Sequence, residues 1–126
     1  MIWLVLGLVG VLACEPSEVD AISARLVGQR FTIAADRSSI AIEDIAGEGA
    51  PRVGVVARDG RALVFDTEQG RFVLAGPLAR PRLAGPGYTI WVIGDVTPGS
   101  VPTLTIHRLG VLRRPNFPAA PRVQPP

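Results

Sequence analysis

The sequence contains no lysine, and it has one cysteine, one histidine and one methionine in 126 residues. Each scarcity excludes something. A single cysteine forms no internal disulfide and supplies no CxxC redox or zinc motif. A single histidine, His107, with no second histidine beside it, does not build a typical transition-metal site. All thirteen basic residues are therefore arginine, and with eleven acidic residues the net charge is +2. The isoelectric point near 9.5 reflects arginine's very high pKa more than any basic face. Aromatic residues make up only 6% of the chain, too few for a series of base-stacking platforms.

Catalytic patterns are missing as well. There is no nucleophile elbow, no phosphate-cradling glycine loop and no HExxH. His107 sits in an alternating TLTIHRL stretch, beside Arg108, and reads as a rim histidine. Glu43 and Asp44 are adjacent, so on a strand they point to opposite faces. Asp59, Asp66 and Glu68 lie near turns but lack the spacing and glycine of a calcium loop, so they read as solvated turn residues. The sequence thus assigns no catalytic residue, no metal site and no cofactor, and the chain is read as a non-enzyme.

What is present begins with an apolar run. Residues Ile2 to Ala13, IWLVLGLVGVLA, carry no charge and stop at Cys14, after which Glu15-Pro16-Ser17-Glu18 follows at once. A bilayer-spanning helix needs about 20 apolar residues. A signal-peptide core needs roughly 7–15, and this run has that length. Two other readings stay open: an uncleaved membrane anchor, and a buried N-terminal strand with an inert core cysteine.

The segment Val11-Leu12-Ala13-Cys14 resembles the lipobox of bacterial lipoproteins, in which a branched apolar residue, a variable one and a small one precede cysteine. The resemblance implies a diacylglycerol thioether on Cys14, cleavage between Ala13 and Cys14, and acylation of the new amine. It also implies a protein held by lipid to the inner or outer membrane of the cell envelope, facing periplasm or surface. Leu12 is bulkier than the usual residue at its position, and no lysine or arginine precedes the apolar run.

The body has 48% hydrophobic residues overall and reads as one globular domain. Residues 14–21, with Glu15, Glu18 and Asp20, read as an acidic tether, and a short helical turn is expected from Ala21 to about Leu26. Alternating apolar residues then predict strands around Phe31–Ile33, Ile40–Ile42, Val53–Ala57, Ala62–Phe65, Phe72–Leu74, Tyr88–Val96 and Thr103–Leu109. Asp59-Gly60 between two such runs predicts a hairpin with a type I′ turn. Gly76 to Gly87 holds three prolines and three glycines, and is expected to form a packed loop plugging the core. Tyr88 to Val96 reads as a central strand buried on both faces, with Trp91 as a core residue. From residue 113 the chain turns proline-rich, and 113–126 is expected to be a disordered tail.

Short strands with little helix imply an all-β domain, a small barrel or sandwich, over residues 22–112. The stretch from Gly70 to Val96, RFVLAGPLA followed by GYTIWVIGDV, resembles small bacterial OB-type β-barrel domains. That resemblance implies architecture, because such barrels host unrelated activities. The functional expectation is a non-catalytic module that binds an envelope protein or another ligand, or has a structural role. An accessory or degenerate enzyme subunit is the alternative. Nucleic acid is not expected as a partner, since most aromatics lie within apolar strands. A concave pocket lined by Arg71, Arg80 and Arg82 would favour an anionic ligand, and an exposed sheet edge would favour a protein.

Overall fold

The structure is a computed structural model and describes residues 10–115. Most of the apolar run (residues 1–9) and the proline-rich residues 116–126, including Phe117 and Arg122, lie outside the described residues.

Five strands close a barrel: β4 (Arg52–Asp59), β5 (Ala62–Thr67), β6 (Gly70–Ala75), β7 (Thr89–Thr97) and β8 (Thr103–Arg113). Their order around the barrel is β4-β5-β6-β8-β7. All neighbours are antiparallel except β6 and β8. The barrel closes through one parallel pair, β6 with β8, and the segment between β6 and β7 packs against it. The sequence pattern explains the interior. Alternate residues of each strand share a face, and Val56, Leu63, Phe65, Phe72, Leu74, Ile90, Val92, Leu104 and Ile106 are all buried inside. The expected plug is present: Ala84 is buried in this core, and Leu78, Ala79 and Tyr88 pack against it. Its turns are held by Ala79 N–H donating to Gly76 O and Ala84 N–H to Arg80 O.

The hairpin between β4 and β5 differs in register from the sequence expectation. Asp59 pairs with Ala62, which makes Asp59 the last strand residue and Gly60-Arg61 the loop. Positive φ falls on Gly60 (65°) and not on Arg61. A type II′ turn needs positive φ only at its first central residue, so glycine is used there and the type I′ expectation is corrected.

A second layer lies against the outside of the barrel. It comprises β1 (Gly10–Ala13), a 3-10 turn (Pro16–Glu18), α1 (Val19–Ala24), β2 (Arg30–Ile33) and β3 (Ser39–Asp44). The sheet order is β1-β3-β2, with β3 antiparallel to both neighbours. Leu12, Val19, Ile22, Leu26, Ile40, Ile42 and Ile45 form its core, joined by Leu112 from β8. Two domain expectations are corrected here. Residues 14–21 are not an extended tether, because Val19 is fully buried and starts a helix. The barrel does not begin at residue 22, since residues 10–45 build the second layer. The eleven-residue β8 also runs through Arg113, where the tail was expected to start.

β7 shows why two layers are needed. Its inward residues Ile90 and Val92 fill the barrel, while Trp91 and Ile93 pack outward on the second core. Trp91 is half-buried, lying across its cross-strand partner Gly110. A Cβ at Gly110 would collide with the indole. The two-sided coverage expected for this strand therefore holds over its first half, and Trp91 belongs to the outer core.

Candidate functional site

Cys14 stands where β1 ends and the chain turns into the body. Its thiol is free and half-buried. The backbone on both sides is fixed: Ala13 pairs with Ser39, and Cys14 N–H donates to Ser38 O at 2.9 Å. From the far end of the chain, Arg113 Nη2 donates to Ala13 O at 2.8 Å. The bond between Ala13 and Cys14, which the lipobox resemblance marks for cleavage, is thus held in the sheet on both sides.

The charges around it are paired. Glu18 Oε1 accepts from Glu15 N–H at 3.1 Å, closing a capping box on the 3-10 turn, and its Oε2 lies 3.6 Å from Arg113 Nε. Arg37 Nη2 donates to Asp20 at 3.1 Å. Burial pushes the Cys14 thiol above its ordinary range and the Glu18 carboxylate adds to this, while Arg113 and Arg37 act in the opposite sense. Nucleophilic sulfur is thiolate, so a raised thiol pKa lowers the share of Cys14 in its reactive form.

Arg113 and Glu18 were not legible as partners of Cys14. The contact from Arg113 to Ala13 spans 100 residues of sequence, and no local pattern announces it.

The other sequence candidates lie elsewhere. His107 Nε2 is 2.9 Å from Asp95 Oδ2, on the exposed end of the β7–β8 ribbon. The β7–β8 register shifts between Ile93 and Gly94, which brings these two side chains together. Asp66 is engaged by Arg71 through two bonds of 2.7 and 3.1 Å, and Arg71 holds its carboxyl below the usual range. Asp44 turns inward to its own loop, accepting from Gly47 N–H (3.0 Å) and Gly49 N–H (2.6 Å). Glu43, on the opposite face, accepts from Thr32 Oγ1. Among the described residues no three histidine, cysteine, aspartate or glutamate side chains converge on a metal-sized site.

Two of the depressions on the surface of the described residues bear on these candidates. One, about 280 Å³, lies between the start of β1 and the barrel wall, bounded by Gly10, Val11, Pro51, Val53 and Ile93. The other, about 540 Å³, lies beside Arg113 and includes Glu18, Thr89 and Arg114. Arg71, Arg80 and Arg82 line neither, so the anionic pocket considered from the sequence is not formed by these depressions. Among the described residues no helix is long and apolar enough to cross a membrane. No protein-family model matches the chain, and no curated protein or solved structure matches it either.

Proposed function

We propose that this chain is a lipid-anchored module of the bacterial cell envelope, non-catalytic, carried on Cys14 and cut between Ala13 and Cys14. The observation that carries the reading is the uninterrupted apolar run ending in Val11-Leu12-Ala13-Cys14 and followed at once by Glu15 and Pro16. The fold is compatible with losing what precedes Cys14. Among the described residues, the barrel core draws on none before Val56, and the second core gives up one buried side chain, Leu12. Burial of one leucine is worth about 1.5–3 kcal/mol, against a typical domain stability of about 5–15 kcal/mol. Processing acts on the chain before it folds, because the folded sheet holds the scissile peptide on both sides.

A second reading is favoured by the pairing of β1 with β3. In it residues 10–13 remain as a permanent strand and Cys14 stays a thiol. Expression in a bacterial host separates the two. The anchored protein partitions into detergent, labels with a palmitate analogue through Cys14, and loses both properties in Cys14→Ser. Each buried methylene adds about 0.8 kcal/mol of membrane affinity, so more than one acyl chain is expected. An intact mass retaining residues 1–13 with an unmodified thiol overturns the proposal in favour of a chain that keeps its apolar run.

A further inference from the structure

Cutting before Cys14 removes more than a leader. It takes away β1, the strand that covers one edge of β3. We propose that the slot so opened along Ser39–Ile42 is a docking site for an extended segment of a partner protein, which adds to the sheet antiparallel to β3. The inference rests on the anchored reading above.

β1 is a cast of what the slot accepts. It lies in register with Gly10 opposite Ile42, Val11 opposite Ala41, Leu12 opposite Ile40 and Ala13 opposite Ser39. Gly10 and Leu12 face inward and are buried, while Val11 and Ala13 are exposed. Leu12 sits among fully buried aliphatic residues, including Ile40, Ile42 and Leu112. An occupant therefore needs a branched aliphatic side chain at that position.

Two residues earlier the slot is tight. A Cβ on Gly10 would come within 2.6 Å of Pro51 O and 2.9 Å of Val53 Cγ2. Only a residue without a side chain fits there, giving the pattern glycine, any residue, leucine or isoleucine, any residue.

The same wall selects the kind of occupant. A second copy pairing its own β3 edge would have to place a side chain opposite Pro51 and Val53, since Ser39–Ile42 contains no glycine. A single extended strand with one glycine passes. Left bare, the edge would expose unpaired N–H and C=O groups above an opened aliphatic core, which soluble domains avoid. Backbone pairing supplies affinity in such strand additions, and the alternate inward pockets supply specificity. Arg113 adds a polar handle, since its donor to Ala13 O becomes free for a carbonyl of the incoming strand.

The test uses the protein purified from host membranes. Its intact mass is read first, because a chain still carrying residues 1–13 removes the anchored reading and the vacated slot together. With a chain beginning at lipidated Cys14, a fluorescent peptide bearing Gly-Val-Leu-Ala between charged flanks is titrated by anisotropy. Saturable binding is expected, weakened about tenfold or more when the peptide's leucine becomes aspartate or its glycine becomes valine. The Cys14→Ser chain, with its own β1 in place, is expected to bind none of them. Equal affinity for all three peptides, or no binding by the processed chain, overturns the docking site while leaving the anchor standing. Sedimentation of the processed chain as a dimer that the peptide does not dissociate overturns it in favour of a second copy.

Discussion

The barrel and the layer on its flank are both closed by buried aliphatic residues, but they recruit them differently. In the barrel β4–β5, β5–β6 and β7–β8 are neighbours in sequence, and all its strands lie between Arg52 and Arg113. The layer gathers β1, α1, β2 and β3 from the first third of the chain, then needs Leu112 from the end of β8. The barrel is thus complete within itself, whereas the layer depends on the barrel wall behind it and on β1 at its edge. A unit with such dependences is where local opening is expected first.

The strongest way to break the comparison is inside the barrel. Phe65 is fully buried, so Phe65→Ala is expected to cost about 3–5 kcal/mol. Because the layer packs on β7 and β8, it should lose its structure in the same transition. Urea unfolding followed by far-UV circular dichroism and by Trp91 emission, in a Trp3→Phe background, should give coincident midpoints.

Ile42→Ala probes the converse. It removes a fully buried layer residue and is expected to cost about 2–5 kcal/mol. Here the Trp91 emission should shift to the red at lower urea than the circular dichroism changes. Coincident curves would show that barrel and layer are one cooperative unit.

A smaller effect is expected at the seam. In Gly110→Ala the new methyl group displaces the Trp91 indole, with a cost of about 1–3 kcal/mol for overpacking. Trp91 emission should become more accessible to iodide, while β-sheet circular dichroism is retained.

The smallest concerns pH. Arg71 holds the Asp66 carboxyl below its usual range. The pair's contribution is therefore complete above the ordinary carboxylate range near pH 4 and is lost as pH falls through the depressed value. Both side chains are substantially exposed, so the effect is slight. Arg71→Gln should flatten only that acid limb of a stability-against-pH curve, leaving neutral stability almost unchanged.

Most of the barrel was legible because its strands alternate and its connections carry glycine: a hairpin does form at Gly60, shifted by one residue from the expected turn, and Gly76–Gly87 packs as the plug. The layer was much less so. Residues 10–13 are part of a longer apolar run, and a short apolar stretch reads equally as strand, helix or leader. The helical turn expected from Ala21 is there, but it starts earlier: Val19 sits between Glu18 and Asp20, whose charge suggested solvent, and it is buried with Ile22 in α1. Cys14 was visible as a candidate from four consecutive residues. Its neighbours Arg113 and Arg37 were not, since tertiary folding alone brings them there.

The length of β8 has one more consequence. Its C-terminal residue, Arg113, touches Ala13 beside Cys14, and its other end leads into the β7–β8 hairpin around Pro98-Gly99-Ser100. Eleven residues of strand at about 3.3 Å each span roughly 35 Å. With lipid attached at Cys14, the ribbon becomes a measuring rod. Under the proposed anchoring, that length sets how far the exposed tip, with Asp95 and His107 near it, stands from the end of the ribbon beside Cys14.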